Sequence, residues 1–273
     1  MEPNPPRERL LAVVDRSPAC VAAHDRDGWL ALFSTDAVVE DPVGAAPHAR
    51  TEARDPLGRF WDTFIAPNEI RFEVRADLVA GRTVARDVVI HTTLPNGFTI
   101  DVPAHLRYEL VPDPDGEPRI AHLAAHWEAR KLSAKALRGG WRGLTGVTAL
   151  TGRMLRRLGV RGVAGYLRGL RKGAFRKGHA VATAFVAALR SGDEAALRAL
   201  LADGSRLERP AGVPVAPAAL LTAFGPERPF EVGPPVAAGW WLSFRCDVEG
   251  APGLVFLELD PATRKVLAAR FFG

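Results

Sequence analysis

The sequence predicts an α+β fold, helices followed by a curved antiparallel sheet, and predicts that this unit occurs twice. Three observations carry that expectation. Apolar residues recur at helical spacing up to residue 66, then at a period of two from residue 70. Turn signals such as Pro95-Asn96-Gly97 punctuate the alternating part. The segment Gly192 to Gly212, GDEAALRALLADGSRLERPAG, also lies without gaps on His24 to Gly44, HDRDGWLALFSTDAVVEDPVG, at a shift of 168.

Taken in order, residues 7–24 read as a helix with Leu10, Leu11, Val14, Cys20 and Val21 on one side, kinked or divided by Pro18. Asp25 and Asp27 open a short helix, Gly28 to Phe33, that buries Trp29, Leu32 and Phe33. A short strand then ends in Asp41-Pro42-Val43-Gly44. Residues 52–66 form a third helix with Leu57, Phe60, Trp61 and Phe64 on its apolar face, stopped by Pro67 and Asn68. Strands are expected from Ile70 to Ala76, Thr83 to Thr93, Phe98 to Leu110 and Ile120 to Glu128. On the third of these, Ile100, Val102, Ala104, Leu106, Tyr108 and Leu110 share the inward face. Such a cone has a hollow interior, the natural pocket. Strands return around 230–232, 237–248, 253–260 and 265–272. The predicted organisation is a first domain over 1–128, a connector over 129–178 and a second domain over 179–273.

The connector differs in charge from its flanks. From Ala129 to Gly178 there are 14 Lys and Arg and no Asp or Glu, which leaves −9 for the remainder of a chain whose total is +5. The high isoelectric point is therefore a property of one segment. Its apolar positions, Trp141, Leu144, Thr148, Thr151, Leu155, Leu158, Val163, Tyr166, Leu167 and Leu170, make an intermittent stripe. One reading packs that stripe against the two cones. A second lays it on anionic lipid, as a peripheral membrane contact. No nucleic-acid motif accompanies the basic residues, so no nucleic-acid partner is expected. The N-terminus lacks a secretory pattern and no apolar run spans a bilayer, so a cytoplasmic protein is expected. Cys20 and Cys246 fall in a helix and a strand pattern and read as buried small hydrophobes.

Asp41 is the candidate for chemistry. A residue before proline is steered out of the helical region, so Asp41 should stand extended at a strand end. Facing an apolar interior, it would be a proton acceptor; facing solvent, a turn-capping residue. At the corresponding position the second copy has Arg209, whose guanidinium cannot serve as a base. His91, His122 and His126 lack a Cys or carboxylate at ligand spacing, and parity turns His122 and His126 outward, so no metal is expected. No phosphate-binding loop appears, and no cofactor is implied.

The stretch LALF-x-x-D-A-x-V-E-D-P-V-G, with its hexapeptide Val39-Glu40-Asp41-Pro42-Val43-Gly44, resembles ketosteroid isomerase, in the wider group of nuclear transport factor 2-like (NTF2-like) and SnoaL-like proteins. The resemblance covers residues 10–128 and, more faintly, 179–273. It implies two NTF2-like cones and an Asp41 base that moves a proton on a hydrophobic ketone, steroid or polycyclic. By gapless position the family's oxyanion tyrosine falls on Ser17, and its second donor on Ala104. A one-residue bulge would put His105 there instead, although parity sends His105 to an exposed outer face. Trp61 and Trp127 fall where the family lines its pocket with aromatic rings, with Phe33 and Phe60 similar. Two alternatives accompany this one: a non-catalytic steroid- or lipid-binding protein, and a polyketide or polyether cyclase/epoxide hydrolase pairing Asp41 with Glu69. Tandem copies leave a homodimer open as a further partner arrangement.

Overall fold

Asp25 and Asp55 start the two short helices that bring aromatic side chains to the pocket. The Asp25 carboxylate accepts from Gly28 N at 2.9 Å and begins α2 (Arg26–Leu30). Asp55 accepts from Gly58 N at 2.8 Å, with Pro56 in the first turn of α3 (Pro56–Phe60). The computed structural model describes residues 5–50, 55–113 and 115–273. Within it α1 (Arg7–Ala22) runs through Pro18 without dividing. Phe33, expected at a helix end, instead opens strand β1 (Phe33–Glu40). The predicted helix 52–66 is α3 followed by a π-helical turn, Trp61–Ile65; its residues 52–54 lie outside the described residues.

The remaining strands follow the period-two reading closely, apart from the short strand at His48–Ala49, which that reading did not include. They are β2 (His48–Ala49), β3 (Glu69–Ala80), β4 (Thr83–Thr93), β5 (Thr99–Pro112) and β6 (Pro118–His126). The sheet order is β2-β1-β6-β5-β4-β3, antiparallel except where β1 lies parallel to β6. The β4–β5 hairpin turns at Gly97, whose φ of 77° suits glycine.

Two helices, α4 (Ala129–Arg138) and α5 (Gly140–Arg171), complete this unit. α5 is interrupted at Gly159, where φ is 70°. Its buried positions are Met154 and four glycines, Gly143, Gly146, Gly165 and Gly169, rather than the expected apolar stripe. A Cβ at Gly146 would lie 2.6 Å from Leu94 in the β4–β5 hairpin, and one at Gly165 would lie 2.5 Å from Ala46, just past Asp41. Asn96 secures the hairpin end by donating to Arg142 O at 2.7 Å. Trp141, Leu144, Leu155 and Leu167 of the predicted stripe are exposed, Trp141 by 77%.

The chain divides into two units: the chain to Asp77 with Arg82–Arg171, and Lys172–Gly273 with Leu78–Gly81. The second unit holds α6 (Phe175–Ser191), α7 (Glu194–Leu200), β7 (Leu201–Glu208), α8 (Pro217–Phe224), β8 (Phe230–Val232), β9 (Val236–Ala238), β10 (Trp241–Val248), β11 (Leu254–Leu259) and β12 (Val266–Phe272). It repeats the first in detail. β7 has the bounds of β1 moved by 168 residues and is parallel to β12, as β1 is to β6. Asp193 caps α7 as Asp25 caps α2. The bonds from Ala45 N to Pro42 O and from Val213 N to Pro210 O are the same bond in two copies. The Asp41–Pro42 and Arg209–Pro210 peptides are both cis. The fold is thus α+β, with two NTF2-like cones.

The cones differ inside. In the second, Phe224 lies 4.9 Å from Phe271 and 5.4 Å from Phe230, and Phe185 lies 6.4 Å from Phe271. These rings join Leu220, Leu257 and Val266 in a filled core. The first cone encloses a cavity.

Candidate active site

β1 delivers Asp41 to the mouth of the first cone, and β6 delivers Trp127 beside it. The Trp127 indole N–H donates to Asp41 Oδ1 at 2.5 Å. Both line a cavity of about 200 Å³ whose other walls are mostly apolar, among them Phe60, Phe64, Ile70, Ile100, Val102 and Leu123. Surrounded by this wall, the Asp41 carboxyl is pushed up from 3.8 to about 6 by burial, against the smaller opposing effect of the Trp127 hydrogen bond.

The chain has two tyrosines, and both line this cavity. Tyr108 comes from the inward face of β5 and is buried. Tyr166 comes from α5. Burial pushes each phenol up to about 12, and the Asp41 charge acts on both in the same direction. Both are therefore neutral O–H donors at ordinary pH.

Ser17 joins the Trp29 indole to the Tyr108 phenol. Trp29 Nε1 donates to Ser17 Oγ at 3.2 Å, and Ser17 in turn hydrogen-bonds Tyr108. An indole N–H can only donate. Ser17 therefore accepts from Trp29, and its hydroxyl also meets the Tyr108 phenol. The family resemblance assigns a tyrosine hydroxyl to position 17; here Tyr108 of β5 meets the Ser17 side chain of α1. Sequence position could not reveal this, although inward parity and the scarcity of tyrosine were both visible signals.

Buried Arg86 on β4 acts electrostatically on Tyr108. It is paired with Asp15 and donates to Asp77 Oδ1 at 2.7 Å. This cation also opposes the upward push on the Tyr108 phenol.

Other predicted site residues separate into layers. Ser17, Phe60, Asp41 and Trp127 line the cavity. Phe33 and Trp61 stand behind Trp29, with ring centroids 4.5 and 5.5 Å from it, so they support the wall rather than form it. Ala104 is buried on β5 but is absent from the lining. His105 lies on the opposite face, as parity requires, but it is buried rather than exposed: its Nε2 is 3.7 Å from Asp87 Oδ1 on β4. It does not reach the Asp41 cavity. Glu69 also fails to reach it. Its side chain is 80% exposed and faces His24 at 3.6 Å, while its neighbour Ile70 takes the inward position. The Asp41–Glu69 pair is therefore not formed. Cys20, expected to be buried, is half-buried.

The second unit lacks this arrangement. Arg209 occupies the position of Asp41, with its guanidinium 5.1 Å from the centre of the Phe224 ring. A hollow of about 600 Å³ in that unit is lined by Val186, Arg190, Val232 and Phe244 and by no carboxylate.

Residues 14–131 match the family model of the SnoaL-like domain. Similar solved structures include a Δ5-3-ketosteroid isomerase from Mycobacterium sp., 35% identical, covering 44% of this chain and 93% of that one with a TM-score of 0.39. RV0760c from Mycobacterium tuberculosis, in complex with estradiol-17β-hemisuccinate, is 30% identical over 44% of this chain and 95% of that one, TM-score 0.39. The epoxide hydrolase/cyclase-like enzyme SalBIII, of pyran ring formation in the polyether salinomycin, is 20% identical over 45% and 92%, TM-score 0.39.

Proposed function

With residues 14–131 belonging to the SnoaL-like family of the NTF2-like superfamily, we propose that the first unit moves a proton on a hydrophobic ketone, steroid or polycyclic, with Asp41 as general base. One observation carries the reading: a carboxyl with pKa about 6 shares an apolar cavity with two neutral phenols. The Asp41 carboxylate takes a proton from the carbon beside the ketone. The electron pair left behind moves onto the ketone oxygen, where Tyr108, with Tyr166 as a second donor, stabilises the negative charge. Asp41 then returns the proton further along the conjugated system, so the double bond shifts and nothing is consumed. The raised pKa suits both halves of the cycle, because a base near neutrality both takes and releases a proton readily.

The test is a β,γ-unsaturated 3-ketosteroid followed by absorbance of the conjugated enone. Turnover is expected, Asp41→Asn should abolish it, and Tyr108→Phe should cost on the order of 100-fold. Turnover that survives Asp41→Asn overturns the reading. Tight binding without turnover, in wild type and variant alike, would make the protein a carrier.

We propose separately that α4 and α5 rest on anionic membrane surfaces. Exposed Leu137, Trp141, Leu144, Leu155 and Val160 stand among basic residues with no intervening acid. Co-sedimentation with vesicles containing phosphatidylglycerol, but not with neutral phosphatidylcholine vesicles, is expected. Trp141→Glu should weaken it. Equal recovery with both vesicle types removes the proposal.

A further inference from the structure

The Asp41 cavity contains a charge that proton transfer does not use. Among the described residues lining it, Asp41 is the sole carboxylate and Arg153 the sole cation. The two do not neutralise each other. Neither group's ionisation is shifted by the other's charge, and burial alone acts on Arg153, lowering its pKa. Arg153 Nε is buried with no hydrogen-bond acceptor among the described residues. Other arginines of this unit have found carboxylates: Arg86 with Asp77, Arg26 with Asp55 and Arg119 with Asp115. A buried donor without an acceptor is costly, and a guanidinium turned toward an apolar cavity is more so.

Its position along α5 separates it from the Asp41 end of the cavity. Arg153 lies one turn past Leu150, which also lines the cavity, and Gly146 beyond that packs on the β4–β5 hairpin. Tyr166 and Gly165 stand at the other end of α5, by Asp41 and Ala46. Thirteen residues of α5 separate Arg153 from Tyr166, with the Gly159 interruption between them, so the cation and the Asp41 end of the cavity are held by different parts of the helix.

We propose that Arg153 is an anion-recognition site for the far end of the ligand, so that the substrate class is a hydrophobic ketone with an anionic tail, a carboxylate or sulfate. This rests on the proposed function for the identity of the reacting end, but not for the anion site itself. A planar guanidinium pairs with either oxyanion through parallel N–H donors.

The test uses a 3-ketosteroid with a side-chain carboxylic acid and its methyl ester, each titrated against the fluorescence of the full chain, in which Trp29 and Trp127 line the cavity. Wild type should bind the acid about 10- to 100-fold more tightly than the ester. Arg153→Gln should bring the two together while leaving the ester's affinity in place, and Arg153→Lys should keep part of the preference. Arg156→Gln, on the exposed face of the same helix, should behave as wild type. Equal binding of acid and ester by wild type, or a preference that persists in Arg153→Gln, overturns the proposal. If the ester binds and is isomerised without any preference for the acid, the anion site falls and the proton-transfer reading stands. If neither compound binds, both fall.

Discussion

Asp41 destabilises the fold that holds it. Its carboxyl is protonated in folded and unfolded chains alike only at pH well below 3.8, where burial carries no extra ionisation cost. As pH rises from 3.8 to about 6 the unfolded chain ionises first, and stability falls. Above that the loss is complete, roughly 2–3 kcal/mol. Asp41→Asn, which can still accept from Trp127, should therefore raise stability by about that amount in urea melts at pH 7.5 and by far less at pH 3.5. The same ionisation should make kcat/KM rise with pH through about 6. Asp41 was legible in the sequence because Pro42 and Gly44 fix the local backbone and the flanking pattern is apolar. The donor was not, because hydrogen-bond partnership crosses elements. Ser17 on α1, Trp29 on α2 and Tyr108 on β5 meet only in the folded cone.

At the scale of elements, α5 is the wall the sequence described least well. Strand bounds were legible because alternation is local and turns are marked by glycine and proline. The packing side of α5 was not, since it is chosen by closeness of approach rather than by apolarity. Gly165 and Gly169 press on the backbone segment Ala45–Ala46, and a Cβ at Gly169 would stand 3.0 Å from Ala45 N. Larger side chains cannot enter there without moving the helix. Gly165→Leu should consequently loosen the wall that carries Arg153 and Tyr166. The expected result is weaker binding of a hydrophobic ketone by at least tenfold, with a stability loss of about 1–3 kcal/mol. Ligand titration and denaturant melts read the two effects separately. His105 shows the same limit from the other side. Its face was correctly assigned from parity, but parity says nothing of what covers that face, and His105 is buried.

For the whole molecule, the repeat was legible at the level of the chain and its asymmetry only partly so. Arg209 in place of Asp41 showed that the second copy carries no carboxyl at that position. That its interior is packed with Phe185, Phe224 and Phe271 depends on which aromatic side chains converge, and follows from no single position. Phe224→Ala should cost about 3–5 kcal/mol, as expected for a filled core, in denaturant melts that follow the second unit. A merely local change in a binding wall would cost far less.

That packed interior fixes the arithmetic of loading. Only the first cone sets a carboxyl and two phenols around its hollow, so a hydrophobic ketone should load there alone, and a calorimetric titration should close at one equivalent, not two. Restoring an acid at position 209 would set a carboxylate against the Phe224 ring, without the phenols that accompany Asp41.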